Sequence, residues 1–141
     1  MRENIGLYRG KRKDGGGWVS GYLSVAFISN GVVARLGYTI KTLEAGTHDY
    51  REYEVDEETI GEYAGRSDKN GKKIFEGDIV EALEIDGKQI APVVFRKGCF
   101  LVDGNFGIFR IGVGAYKRRL LKVIGNIFDN PELLKGGAGD V

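Results

Sequence analysis

The fold is decided by residues 59–80, TIGEYAGRSDKNGKKIFEGDIV, which carry the densest local pattern in the chain. Residues 60–64 and 72–75 are short and apolar enough to predict two strands. Between them lies Asp-Lys-Asn-Gly at 68–71, which predicts a tight hairpin turn. Asn70 and Gly71 favour that turn, because both residue types tolerate the left-handed backbone that hairpin loops require.

A second sharp turn is predicted at residues 76–78, Glu-Gly-Asp, where the chain enters a further strand at 79–83. We expect Gly77 to lie where a Cβ atom would clash. We expect Asp78 to accept a hydrogen bond from a nearby backbone N–H and so to cap the turn. Asn70, Gly71, Gly77 and Asp78 therefore form a structural motif, which specifies architecture and no chemistry.

Outside this stretch the same kind of turn signal recurs. Asp-Gly or Asn-Gly steps stand at 14–15, 30–31, 70–71, 86–87 and 103–104. Turns in series between short apolar runs predict an antiparallel meander, and small meanders commonly close into barrels that remove exposed edges. Pro92 lies in the predicted strand 89–95, which we interpret as an edge strand or a strand with a bulge, because proline has no N–H to donate.

The longest predicted strand covers residues 18–28. With a period of two, Val19, Leu23, Val25 and Phe27 share one face. The other face carries Tyr22, Ser24, Ala26 and Ile28. Near the chain's end we predict a strand over 120–128, bulged at Gly125-Asn126, and at most one helical turn over 131–134.

Composition sets the broad class. The chain has 141 residues, 42% hydrophobic and 29% charged, which is ordinary for one globular domain. Its net charge of +1 imposes no overall field that favours nucleic acid or membrane. A single cysteine excludes an intramolecular disulfide, and no apolar run has membrane-spanning length. These features predict a soluble cytoplasmic protein that contacts no membrane.

No catalytic constellation stands out. Residues 68–79 resemble a calcium loop only superficially, because Lys73 occupies the position that needs glycine and Ile79 the position that needs glutamate. His48 is the only histidine, so a zinc cluster of histidine and cysteine cannot form. Cys99 is expected to be a small core residue. A carboxylate metal site around Asp78 and Glu81 is the weakest of the functional hypotheses.

A binding site for nucleic acid is the more specific alternative. Lys117, Arg118 and Arg119 follow Tyr116, with Phe106 and Phe109 upstream, and this mixture of basic and aromatic residues suits phosphate contacts and base stacking. Arg96 and Lys97 would add to it. The plainer interpretation is a solvated basic turn beside buried aromatic residues.

Three segments carry a family resemblance. Residues 59–80, together with GGGWVSGYL at 15–23 and VIGNIFDNPELL at 123–134, resemble the motifs of the YopX family of phage and prophage proteins, in the family's order. The resemblance implies a mainly β protein with an SH3-like barrel, encoded by a phage or prophage, without an established activity. Residues 24–55 match no motif of that family.

These arguments predict one YopX-like domain over 1–141. Residues 1–56 would form an N-terminal β region, 57–135 the barrel core, and 136–141 a disordered tail. We predict a mainly β fold, an antiparallel meander closing into an SH3-like barrel with extra N-terminal strands and little helix. The predicted function is non-enzymatic, without cofactor or metal: protein–protein interaction with an unknown partner and self-association as a homo-oligomer, or alternatively nucleic-acid binding.

Overall fold

The computed structural model describes residues 6–43, 49–84, 87–104, 109–112 and 117–134. It is 67% strand and 7% helix, which confirms the mainly β prediction, and one of its antiparallel sheets curls into a half-barrel. The SH3-like closure stays a prediction. The strands are β1 (Leu7–Lys11), β2 (Trp18–Ser29), β3 (Ala34–Leu43), β4 (Tyr50–Val55), β5 (Gly61–Ser67), β6 (Lys73–Phe75), β7 (Asp78–Glu84), β8 (Gly87–Arg96), β9 (Cys99–Gly104), β10 (Phe109–Gly112) and β11 (Leu121–Asn126).

The chain divides into two compact units, residues 1–63 and 64–141. The division falls inside β5, seven residues after the predicted end of the N-terminal region at residue 56. At that predicted point the acidic residues form a 3₁₀ helix, Glu57–Thr59, which leads into β5. The single-domain organisation stays a prediction, and the tail at 136–141 lies outside the described residues.

In the first unit the strand order is β4-β3-β2-β1-β5. The end of β1 also meets β4, because Arg12 bridges Val55 and the Asp56 N–H donates to the Lys11 carbonyl at 2.9 Å. The inner face of this curled sheet holds Ile40 and Val55, which are 0% and 1% exposed. Gly10 permits the close approach, since a Cβ there would lie 2.8 Å from the Cβ of Val55.

In the second unit the strand order is β10-β9-β8-β7-β11, so the last strand returns to β7. The register of β11 on β7 shifts between Val123 and Gly125, which confirms the predicted bulge. The predicted helical turn is also present at residues 132–134. One apolar cluster fills this unit: Ile74, Val80, Ala82, Ala91, Val93, Val102, Leu121 and Val123.

Pro92 has a different role from the one its sequence context predicts. The strand β8 is not an edge, because it pairs with β7 up to Pro92 and with β9 from Val93 onward. The proline stands where β8 changes partner, and the pairing with β7 shows no register shift there. A residue without an N–H is tolerated at that point because one ladder ends and the next begins.

The predicted turn at 68–71 is present, but its organising residue is Asp68. Gly71 has a φ of 82°, and its N–H donates to the Asp68 carbonyl at 3.0 Å. Asn70 does not adopt the left-handed backbone, because Lys97 is the only described residue other than glycine with a positive φ. The backbone N–H of Asn70 instead donates to Oδ1 of Asp68 at 2.9 Å.

Asp68 also ties the turn to β11. Its side chain is 1% exposed, and its Oδ1 accepts from the Lys72 N–H at 2.9 Å while its Oδ2 accepts from the Val123 N–H at 2.9 Å. We call Asp68 and these backbone donors the Asp68 clasp. Burial opposes ionisation of Asp68, but the hydrogen bonds from Val123, Lys72 and Asn70 outweigh it and lower the pKa of the carboxyl group.

The turn at 76–78 has the predicted hydrogen-bonded cap, whereas the predicted Cβ clash at Gly77 stays a prediction. Oδ2 of Asp78 accepts a hydrogen bond from the Phe75 N–H at 2.8 Å, so the predicted cap is confirmed. Gly77 has a φ of 92°, which by itself explains why glycine stands there. Its carbonyl accepts from the Ile127 N–H and its own N–H donates to the Val93 carbonyl, both at 2.9 Å.

Candidate functional site

The most distinctive surface of the first unit is a projecting pair of strands. β2 and β3 pair from Tyr22 with Lys41 out to Ser29 with Ala34. Within the described residues β1 accompanies β2 only as far as Tyr22, and β4 accompanies β3 only as far as Tyr38. Within that part of the chain, residues 23–37 extend beyond their neighbours for about 20 Å, at about 3.3 Å per residue. We call residues 23–37 the arm.

One face of the arm is apolar and uncovered. Phe27 pairs with Leu36, and Val25 pairs with Tyr38, so their side chains lie on the same face. Val25, Phe27 and Leu36 are 57%, 79% and 63% exposed. At the base the same face continues into Ile40, which is fully buried. The hydrophobic face that forms the core of this unit thus runs outward without cover.

The tip of the arm presents two more apolar side chains on an ordered turn. Val32 and Val33 are 90% and 63% exposed. Oδ1 of Asn30 accepts hydrogen bonds from the backbone N–H groups of both valines, each at 2.9 Å. The Gly31 N–H donates to Oγ of Ser29 at 3.0 Å. These local hydrogen bonds form an Asx turn at the tip.

The opposite face, by contrast, satisfies its charges within the chain. The guanidinium of Arg35 donates to both carboxylate oxygens of Glu54, at 2.6 and 2.9 Å, in a bidentate pair. Lys13 lies 3.3 Å from the same carboxylate. The hydrogen bond from Arg35 is the main cause that lowers the pKa of Glu54 to about 2, with Lys13 adding to it.

A chain of polar side chains centred on the buried Thr39 continues across this face. Thr39 is 3% exposed, and its hydroxyl lies 2.8 Å from Oγ of Ser24. The same hydroxyl donates to Oε2 of Glu52 at 2.6 Å. These polar groups therefore have hydrogen-bond partners within the chain. This is expected, because burying a hydroxyl group without a partner costs free energy. The apolar face of the arm has no comparable cover.

The arm is also free of charge over most of its length. From Trp18 to Ala34 the sequence contains no Asp, Glu, Lys or Arg, and Arg35 is the first charged residue. Exposed strands of soluble monomers usually carry charges, proline or bulges that prevent association. Most of the arm lacks such charges, prolines and bulges, so the arm is suited to contact another protein surface.

The sequence placed Val25 and Phe27 on the correct face but did not reveal that they are exposed. Alternation predicts which side chains share a face, and it does not say how far neighbouring strands extend. One sequence signal was available, because the strand predicted over residues 18–28 was the longest in the chain. In the structure β2 has 12 residues, whereas β1 has 5 and β4 has 6.

The basic residues predicted to contact nucleic acid are not brought together. Arg96 and Lys97 are exposed at the turn between β8 and β9. Lys117 and Arg119 are exposed just before β11. The first residue of β11, Leu121, pairs with Ala82 of β7, and Ala82 in turn pairs with Gln89, near the other end of β8. Seven residues separate Gln89 from Arg96, which is about 20 Å along the strand.

Several other residues singled out from the sequence fall outside the described part of the chain. They are the side chains of Arg118 and Phe109, and all of His48, Phe106, Tyr116 and Asp86.

Cys99 is described and is exposed, so its prediction as a core residue is wrong. It begins β9 opposite Arg96, and by alternation it lies on the face opposite to Phe100 and Val102, which belong to or pack against the core cluster. The Asp-Gly step at 103–104 forms the paired end of β9, not the turn.

The carboxylates of the metal-site hypothesis are not arranged to converge. Asp78 and Glu81 stand three positions apart on β7 and therefore point to opposite faces of the sheet. Asp78 is committed to the backbone of Phe75, and Glu81 lies 3.6 Å from the ammonium of Lys88. Within residues that the structure describes, no three histidine, cysteine or carboxylate side chains form a group able to hold a metal ion.

In the described part of the chain, no helix combines the length and apolar character needed to cross a membrane.

No curated protein matches the chain. The solved structures similar to it include two crystal structures. The crystal structure of yopX from Bacillus subtilis has 26% identity and a TM-score of 0.53, covering 91% of this chain and 97% of that one. A crystal structure of an Enterococcus faecalis protein has 20% identity and a TM-score of 0.47, covering 91% and 96%.

The family comparison spans both units. A family profile described as YopX protein matches residues 8–135, which include the arm, the Asp68 clasp and β11. The match extends through residues 24–55, the segment in which the sequence motifs showed no resemblance. The chain therefore belongs to the YopX family.

Proposed function

We propose that this protein is a non-enzymatic phage or prophage accessory protein that acts in the cytoplasm of the bacterial host through protein–protein interaction and self-association. The single observation that carries the proposal is the uncovered apolar face of the arm. Val25, Phe27 and Leu36 continue the face of the core outward, and they remain 57% to 79% exposed. The proposal assigns no cofactor and no reaction.

The size of the exposed surface supports this role. With Val32 and Val33, the three side chains of the face offer roughly 500 Å² of apolar surface, near the upper end of the largest patches on monomeric proteins, about 300–600 Å². Large apolar patches of this kind mark contact sites for other proteins. The hydrogen-bonded turn at Asn30 adds to this, because a tip that is ordered before binding loses less conformational entropy on binding.

Nucleic acid is the less suitable partner for this surface. Phosphate contacts require Lys or Arg, and the chain from Trp18 to Ala34 has none. The basic residues Arg96 and Lys97 lie at one end of β8, and Lys117 and Arg119 lie near the other. Nucleic-acid binding through these groups therefore needs a ligand that spans the length of that strand.

The test is light scattering coupled to size-exclusion chromatography over a wide range of protein concentration. We expect the molar mass to rise with concentration from that of one 15.5 kDa chain. A constant monomer mass at all concentrations would remove self-association from the proposal. A parallel titration with labelled DNA and RNA at low and moderate salt addresses the alternative, because phosphate binding weakens steeply as salt rises.

A further inference from the structure

We infer that two copies of this chain associate by packing the apolar faces of their arms against each other across a two-fold axis. The inference rests on the proposed self-association and adds the surface through which it occurs. In a two-fold interface the same patch is used by both copies, so the patch must be complementary to itself. The arm meets this requirement in area and in charge, and its pairing register places Phe27 and Leu36 near the centre of the face.

The area is sufficient for a specific but modest dimer. Each arm offers roughly 500 Å² of apolar surface through its face and tip. Two arms in contact therefore bury on the order of 1,000 Å² in total, which reaches the lower bound of about 1,000 Å² for biological interfaces. The expected complex is weak and depends on concentration, in contrast to an obligate dimer.

The charges do not oppose the contact. Over residues 23–38 the apolar face carries no ionisable group except the half-buried Tyr38, and Arg35 points to the opposite face. There Arg35 is held by both oxygens of Glu54, so it does not need a partner from a second copy. With a net charge of +1, two whole chains also approach without strong repulsion.

The shape of the arm places one pair of residues at the centre of this contact. Phe27 and Leu36 are cross-strand partners midway between the tip and the base. They are flanked by Val25 toward the base and by Val32 and Val33 at the tip. Two-fold packing about the middle of the face therefore brings Phe27 of one copy next to Phe27 of the other, where large aromatic side chains typically dominate binding.

The first experiment compares Phe27→Glu with Tyr22→Glu by sedimentation equilibrium. Both replace an exposed aromatic residue on β2, but Tyr22 is 56% exposed on the opposite face. We expect Phe27→Glu to raise the dimer dissociation constant at least about tenfold, because a carboxylate cannot be buried against apolar surface without large cost. The Tyr22→Glu constant should remain within about twofold of the original. Circular dichroism verifies that both variants are folded.

The second experiment uses thiol cross-linking with a short bismaleimide in a Cys99→Ser background, since Cys99 is the only native cysteine. We expect Phe27→Cys to form a cross-linked dimer with this reagent, because two sheet faces in contact lie about 10 Å apart and two thiols beside the two-fold axis are then within its reach. Ala26→Cys is the matched control, since it places the thiol on the opposite face of the same strand.

Different results would overturn the proposed self-association and the proposed contact between the arms. A dimer that persists in Phe27→Glu and shows no cross-link at position 27 would overturn the arm contact while leaving self-association in place. Loss of the dimer in both glutamate variants would also overturn it, because the effect would not be specific to one face. A chain that is monomeric throughout would remove the proposed self-association itself.

Discussion

The Asp68 clasp buries a charged side chain, whereas the arm leaves apolar side chains exposed. In the clasp a charged side chain is 1% exposed, yet three backbone N–H groups at 2.9 Å satisfy its oxygens. In the arm the apolar side chains of Val25, Phe27 and Leu36 are mostly exposed, although the two strands that carry them are paired with each other along their length.

The difference separates residues that specify the fold from residues available for contact. A buried carboxylate is tolerated only when hydrogen bonds replace its hydration, so the clasp is complete within its own unit. Hydrogen bonds within the chain cannot compensate for the exposure of an apolar face. The free energy of the protein is lowered only when another surface covers that face. Substitutions in the two regions should therefore affect different quantities: folding in the clasp, association in the arm.

The largest effect is expected from Asp68→Ala. The substitution removes the acceptor of three backbone N–H groups, including that of buried Val123, and should lower the free energy of unfolding by about 3–4 kcal/mol. Urea denaturation followed by circular dichroism measures this loss. Asp14→Ala is the control, because Asp14 is an exposed carboxylate that also accepts a backbone N–H, from Gly16, and its loss should be far smaller.

The same clasp predicts acid sensitivity. The pKa of Asp68 is lowered from 3.8 in the folded protein, so its stabilisation is present above that value and is lost as the pH falls through the folded pKa. The difference in unfolding free energy between the original protein and Asp68→Ala should therefore shrink on acidification below about pH 4. A difference that stays constant with pH would contradict ionisation of Asp68 as the source.

The next effect contrasts two residues on one face of β3. Ile40 is fully buried at the base, and Leu36 is 63% exposed on the arm. Ile40→Ala should destabilise the protein by about 3 kcal/mol, whereas Leu36→Ala should change stability by less than about 0.5 kcal/mol. Both are measured by urea denaturation at a protein concentration low enough to avoid association. A large cost for Leu36→Ala under those conditions would show that the arm is part of the core.

A smaller effect is expected at the turn beside the clasp. Gly71 is exposed with a φ of 82°, which disfavours side chains with a Cβ. Gly71→Ala should cost about 1–2 kcal/mol, and Gly71→Asn should cost less, because asparagine tolerates left-handed backbone. Thermal unfolding of both variants gives the comparison. Equal costs would indicate that crowding, not backbone conformation, selects glycine at this position.

The smallest effect concerns the ion pair on the polar face of the arm. The pKa of Glu54 is lowered from 4.5 to about 2, so its pairing stabilises the fold above pH 4.5 and loses that contribution as the pH falls toward 2. Glu54→Gln should lower the unfolding temperature slightly at neutral pH and low salt. The difference should disappear near pH 2 and decrease as salt rises, since exposed ion pairs are screened.

Much of the local structure followed from local sequence. The chain from residue 59 to 80 predicted two turns, and both are present because backbone conformation at glycine and hydrogen bonding by aspartate depend on near neighbours. The cap made by Asp78 is of this kind, since its donor, Phe75, is three residues away. The bulge in β11 and the helical turn after Pro131 were predicted for the same reason.

Long-range pairing was beyond such reasoning. Asp68 was expected only as part of a turn, whereas its contact with Val123 spans 55 residues. Pro92 suggested an edge strand, and only the change of partner from β7 to β9 explains how an interior strand accommodates it. The basic residues at 96–97 and 117–119 looked like one group, and the register of β11 on β7 separates them.

The sequence by itself therefore determined most of the strands, the turns at 68–71 and 76–78, and which side chains share a face, because each depends on a few consecutive residues. Only the tertiary structure decided which parts of a face are covered. Ile40 and Leu36 lie on the same face of one strand, yet the first is buried and the second is exposed. Coverage depends on how far β1 and β4 extend beside β2 and β3, and that is a property of the assembled sheet.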